Sequence, residues 1–151
     1  MKKTKLMLSI GMLAFAGVAT TLTSCGNDDE PCPVGYEGTD CETLSRAKFI
    51  GNWNGSEECD LGSDDYTVKI SASGASEIKV IVDNVYNEDF QATGTMTSEN
   101  RFEFNGSETT GGITTNYSGT GTLNTEGELV LDYDISMGTT SNSCVFTGSK
   151  L

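Results

Sequence analysis

The sequence predicts an all-β fold, a single eight-stranded antiparallel up-and-down barrel over residues 48–151. Three observations carry that prediction. From Lys48 onward, apolar residues recur at every second position, the period of a strand with one buried face. Clusters of Gly, Asn, Asp and Ser interrupt the alternation at short intervals. No helical segment separates the alternating runs, so consecutive strands join through tight turns and pair antiparallel. Eight strands are enough to close a sheet around side chains or one small ligand, and closure removes the exposed edges of a Thr-rich sheet. An open sandwich is the competing arrangement.

The first strand is Lys48–Cys59. Phe49, Gly51, Trp53, Gly55, Glu57 and Cys59 share one face, and Trp53 is the only tryptophan. A loop is expected at Asp60–Asp65, followed by Tyr66, Val68, Ile70 and Ala72 on one face of the second strand. Ser73–Ser76 reads as a turn. Ile78, Val80 and Val82 mark the third strand, and Phe90, Ala92, Gly94 and Met96 the fourth. Phe102 and Phe104 sit between polar neighbours in a short fifth strand, Arg101–Asn105. Ile113–Leu123 and Leu129–Met137 alternate over their full length, and Cys144, Phe146 and Gly148 form the last strand. Inward glycines suit the crowded or sharply coiled parts of a closed sheet.

Four segments precede or make up this architecture: 1–24, 25–31, 32–47 and 48–151. In residues 1–24, Lys2, Lys3 and Lys5 are followed by an apolar run from Leu6 to about Leu22, the pattern of a signal peptide. The run ends in Leu22-Thr23-Ser24-Cys25, which resembles a bacterial lipobox. That resemblance implies cleavage before Cys25 and acylation of its thiol, leaving the membrane as a partner through the lipid anchor. Residues 25–31 include the acidic run Asn27-Asp28-Asp29-Glu30, a polar tether. The run also resembles the signal that directs some Gram-negative lipoproteins to the outer face of the outer membrane. The expected location is therefore the outer membrane, with exposure at the cell surface as one orientation.

Cys32-Pro-Val-Gly35-Tyr36-Glu-Gly38-Thr-Asp-Cys41 resembles the closing loop of an EGF-like module, in which the two flanking cysteines bond to each other. The other four EGF cysteines and the calcium-binding strand are missing, so no calcium site is implied. Residues 42–47 are expected to make one helical turn leading into the barrel. Besides Cys25, the mature cysteines are Cys32, Cys41, Cys59 and Cys144, which allow three pairings. The expected set is Cys32–Cys41 with Cys59–Cys144, the second linking the first and eighth strands. Two disulfides imply an oxidising compartment, in agreement with export.

Gly51-x-Trp53 on a first strand is similar to the G-x-W signature of lipocalins, although the helix that follows their barrel is missing here. A wider resemblance covers about Cys32 to Leu151. It is to small Gram-negative lipoproteins of unknown function, in which a truncated EGF-like loop (GYEGTDCE) passes through a charged joint (RAKF) into a lipocalin-like β domain. The strands YTVKI and LVLDYDI and the GTGTL turn region belong to the same pattern. The resemblance implies this architecture and no activity.

Composition excludes several functions. Removing Lys2, Lys3 and Lys5 leaves six basic residues against 22 acidic ones, a net charge of −16. Nucleic acid is excluded as a partner, since phosphate contacts need clustered Lys and Arg. Histidine is absent, which removes the usual general base and metal ligand. No G-x-S-x-G elbow occurs, and the cysteines are committed to lipid or disulfides. Asp132 and Asp134 share a strand face but read as a solvated pair, and Asp60–Asp65 reads as an acidic turn lacking a calcium-loop spacing. The three N-x-S sequons at Asn54, Asn105 and Asn116 read as turn and strand residues. No metal, cofactor or catalytic residue is expected. The expected function is a non-enzymatic binding or adhesion module whose partner is a protein, a glycan or a small apolar ligand. The alternative is a lipocalin-like carrier of a small hydrophobic ligand, with Trp53, Tyr117 and Tyr133 as its candidate pocket.

Overall fold

The computed structural model describes residues 31–151. The expected signal segment, Cys25 and all but the last position of the tether lie outside the described residues. A two-stranded hairpin, β1 (Tyr36–Glu37) and β2 (Thr43–Leu44), comes first, then a 3-10 turn, Ser45–Lys48. Eight antiparallel strands follow: β3 (Gly51–Cys59), β4 (Gly62–Ala72), β5 (Lys79–Val85), β6 (Phe90–Ser98), β7 (Arg101–Thr110), β8 (Ile113–Leu123), β9 (Leu129–Met137) and β10 (Thr140–Lys150). Each pairs with its sequence neighbours, and β10 pairs back onto β3, so the sheet is a closed up-and-down barrel.

Closure rests on a register that matches both faces. Cys144 pairs with Cys59, Phe146 with Glu57 and Gly148 with Gly55, so inward residues meet inward residues along the seam. A disulfide joins Cys59 to Cys144, 85 positions apart, and a second joins Cys32 to Cys41, 9 apart. Gly55 permits the close approach of the seam strands, because a Cβ there would strike the Thr147 carbonyl of β10.

Period-two alternation fills the interior. Leu129, Leu131, Tyr133 and Ile135 of β9 are buried, while Asp132 and Asp134 between them are exposed. Phe102, Phe104, Tyr117 and Phe146 are each at most 2 % exposed, so large rings occupy the barrel axis. Phe102 crosses to β8 at Gly121, whose Cβ position overlaps the Phe102 ring.

The two ends of the barrel differ. The end holding the turns at 73–78, 99–100 and 124–128 is closed. Phe49 packs edge-on against Phe102 with ring centroids 5.0 Å apart, and Trp53 donates its indole N–H to the Phe49 carbonyl at 2.8 Å. The N-terminal hairpin docks on the same end. Arg46 donates to the carbonyls of Ser73, Ser76 and Lys79 at 3.1, 2.7 and 3.0 Å, satisfying three acceptors of one turn with a single guanidinium. Gly35 lies flat on Ile78, and Lys48 pairs with Glu37 at 2.5 Å.

The opposite end, formed by the turns at 60–61, 86–89, 111–112 and 138–139, is the mouth. Here the structure corrects the expected boundaries. The loop at Asp60–Asp65 shrinks to Asp60-Leu61, because Ser63, Asp64 and Asp65 pair with Glu58, Glu57 and Ser56. Likewise β7 continues past Asn105 to Thr110, and β10 begins at Thr140 rather than Cys144. These extensions project above the apolar core, so neither face needs hydrophobic residues and the alternation that betrays a strand disappears. Ile113 and Met137, expected inward, are 54 % and 49 % exposed there for the same reason.

Replacing Gly121 by Ala should displace the Phe102 ring and cost about 1–3 kcal/mol, the usual penalty for overpacking a core. Gly74→Ala, where the added methyl meets nothing within 4 Å, should change stability by no more than about 0.5 kcal/mol. Paired urea denaturation curves check both.

Candidate functional site

Strand parity places Glu57 inside the barrel, on the face it shares with Trp53, and it is only 3 % exposed. A carboxylate in such a position needs donors to replace water. Two phenols supply them. Tyr66 donates to Oε1 at 2.6 Å, and Tyr133 donates to the same oxygen. Their positions follow from the sheet: Tyr66 of β4 pairs with Gly55, and Tyr133 of β9 pairs with Cys144, so they flank the β3–β10 seam on both sides. Burial, followed by the bond to Glu57, pushes the Tyr66 hydroxyl far above its ordinary range. Burial and the neighbouring Tyr66 and Glu57 do the same for Tyr133. Both phenols therefore stay protonated as donors.

Among the described residues no donor is bonded to Oε2 of Glu57, that oxygen is not among the fully buried unpaired atoms, and Glu57 borders a cleft in the mouth. The cleft holds about 230 Å³ and is bordered by Leu61, Asp64, Tyr86, Asn87, Glu88 and Asn142 as well as Glu57. Asn142, 4 % exposed, braces it: its carbonyl accepts the Leu61 N–H at 3.2 Å and its amide donates to the Tyr86 hydroxyl at 3.2 Å. Asn87 donates to Asp64 at 2.6 Å across the same rim. Asn84 near the end of β5 and Tyr86, Asn87 and Asp89 of the turn that follows have φ between 52° and 66°. Left-handed backbone is unfavourable for a residue as bulky as tyrosine, and the bond from Asn142 helps hold Tyr86 there. A second cleft of about 210 Å³ shares Leu61, Tyr86 and Asn142 with the first and is otherwise walled largely by Ile135 and Met137.

The three aromatic residues singled out from the sequence lie in three places. Tyr133 is part of the Glu57 site. Trp53 lies at the closed end under Lys150, whose ammonium is 5.3 Å from the ring centroid. Tyr117 stacks on Phe90 with centroids 5.4 Å apart and donates to the Gln91 carbonyl at 2.7 Å. All three are buried. Asp132 and Asp134 are exposed, and Asp134 accepts from Ser143 at 2.5 Å. Cys59 and Cys144 lie beside Glu57 in a group of metal-ligand type, but their sulfurs are bonded to each other and offer no thiolate. Ser45 and Lys48 have the S-x-x-K spacing of a Ser–Lys nucleophile, yet Ser45 is fully buried and Lys48 is engaged by Glu37 and Asn100.

Sequence reasoning did not single out Glu57, Leu61, Tyr86 or Asn142. One signal was available: the parity of 49–59 puts a glutamate on the tryptophan face. Comparisons with known protein families, with curated proteins and with solved structures find no match for this chain.

Because the folded-state values of Tyr66 and Tyr133 lie above the unfolded value near 10, their contribution is fully present below pH ~10 and is lost as pH rises further. Unfolding free energy should therefore fall above pH ~10, and the Tyr66→Phe/Tyr133→Phe variant should show a shallower fall. At neutral pH, Tyr133→Phe alone should cost about 1.5–3 kcal/mol, the range for a hydrogen bond to a charged group. Urea melts at several pH values measure both.

Proposed function

We propose that this chain is a non-enzymatic binding module, held on a membrane by a lipid on Cys25, whose ligand-contacting surface is the barrel mouth. The observation that carries the reading is the difference between the two ends. The N-terminal hairpin packs on the closed end through Arg46 and Lys48, so a tether entering there directs the mouth away from its anchor. Rings occupy the barrel axis, and the mouth carries two adjoining clefts, one of them bordered by a buried carboxylate. The lipobox resemblance and the acidic run after it support an outer-membrane lipoprotein, and the bipartite loop-plus-barrel layout supports the same family resemblance.

The second reading, a carrier of a small hydrophobic ligand, draws support from the cleft walled by Leu61, Ile135 and Met137. It would use that cleft rather than a central cavity, because the axis is occupied by Phe102, Phe104, Tyr117 and Phe146.

Replacing Cys25 by Ala should move the chain from the membrane fraction to the soluble fraction, read by fractionation and mass measurement of the N-terminus. Retention of Cys25→Ala in the membrane without an acyl mass would overturn the anchor. Protease treatment of intact cells reads the orientation: cleavage at the mouth turns without lysis is expected for surface display.

A further inference from the structure

The mouth carries a second asymmetry, one of charge. The six basic residues of the described chain all lie towards the closed end. Arg46 and Lys48 are in the docked turn, Lys79 and Arg101 begin β5 and β7 there, Lys150 ends β10 there, and Lys69 is in the closed-end half of β4. The first cleft instead contains three carboxylates, Glu57, Asp64 and Glu88, and no cationic side chain. A field of one sign over a concave, partly desolvated surface concentrates cations.

Each carboxylate stands differently. Asp64 is already bonded by Asn87 and by the Asp65 N–H. Glu88 is exposed on the rim. Glu57 is 97 % buried by its 3 % exposure, the phenols of Tyr66 and Tyr133 hold Oε1 and leave Oε2 without a protein donor, and the residue borders the cleft. A buried charge with one oxygen satisfied and the other unbonded is a prepared acceptor, and a ligand N–H would complete it.

A divalent metal fits poorly. The carboxylate oxygens of Glu57, Asp64 and Glu88 are not gathered within 4.8 Å of one another; among the described residues only Glu57 with the disulfide sulfurs meets that spacing. A hard cation needs several converging oxygens at about 2.3–2.6 Å. An organic cation needs one strong acceptor and an apolar wall. The wall is adjacent, since Leu61, Tyr86 and Asn142 border both clefts and lead from Glu57 to Ile135 and Met137. The 230 Å³ cleft has room for a small ligand.

We infer that the mouth binds a small organic ammonium bearing a short apolar chain, with the ammonium donating to Glu57 Oε2 and the chain lying over Leu61 towards Ile135 and Met137. The inference rests on the mouth being the binding surface and adds the chemical class of its ligand.

The test titrates the full chain, in nanodiscs of zwitterionic lipid, with n-butylammonium chloride, 1-butanol and calcium chloride, following backbone amide shifts by NMR. Butylammonium is short enough to stay largely out of the lipid. Saturable shifts are expected at 60–62, 86–88 and 140–142, with butanol bound at least about tenfold more weakly. Glu57→Gln, which keeps an acceptor for the two phenols, should weaken butylammonium about tenfold or more, the loss of one hydrogen bond to a charged group. Met137→Ser, at a half-exposed position that should not disturb folding, should weaken it about two- to threefold. Butanol binding at the mouth as tightly as butylammonium would overturn the ammonium assignment and leave the mouth standing. Calcium producing the same shifts more tightly than butylammonium, or no saturable shift with butylammonium, would overturn it likewise. Shifts centred on Phe102 and Trp53 instead would remove the mouth itself.

Discussion

The pairing of β10 with β3 is the contact on which the rest of this molecule depends. It turns a ladder of seven antiparallel strand pairs into a cylinder, and it brings together residues from opposite ends of the chain. Its register is constrained twice. A slip of β10 by one residue would turn Cys144 and Phe146 outward while Glu57 stayed inside on β3. The Cys59–Cys144 disulfide then holds that register covalently. With the sulfurs linking positions 85 apart, the chain-entropy contribution is about 4–5 kcal/mol. That is a large share of the ordinary 5–15 kcal/mol of a domain.

The same seam creates the site. Glu57 sits on β3, Tyr133 on β9 and Tyr66 on β4, so the carboxylate is held by strands on either side of the closing pair. Opening the seam would remove Tyr133 from Glu57 and leave a half-solvated charge among aromatic rings. Stability and site are therefore coupled. The buried carboxylate is not an economical way to hold a barrel, because desolvating it costs more than a hydrocarbon in the same place. Two phenol donors offset part of that cost at Oε1. Oε2 has no protein donor, and Glu57 borders the mouth cleft.

The ends divide the labour along the axis. At the closed end Phe49, Trp53 and Phe102 pack in contact, Arg46 ties three carbonyls, and the N-terminal hairpin covers the turn between β4 and β5. At the mouth the strands outrun the core, the backbone adopts left-handed residues from Asn84 to Asp89, and side-chain amides rather than apolar contacts brace the turns. Such segments have little buried apolar surface to stabilise them and are where a ligand can meet the chain.

What the sequence determined by itself was the interior. Alternation specified the inward residues along the apolar core, and eight such runs with short turns pointed to an antiparallel meander able to close, because local backbone geometry and burial both act along the strand. The same parity placed Glu57 inward, yet parity has no means of naming its partners: Tyr66 is nine positions away and Tyr133 seventy-six, and only the cross-sheet register makes them neighbours. Strand ends above the core were equally hidden, since Ser63–Asp65, Gly106–Thr110 and Thr140–Ser143 gain their hydrogen bonds from pairing rather than from any buried face. The mouth, its clefts and the unbonded oxygen of Glu57 are products of closure, which acts between strands far apart in sequence and leaves no periodic trace within any one of them.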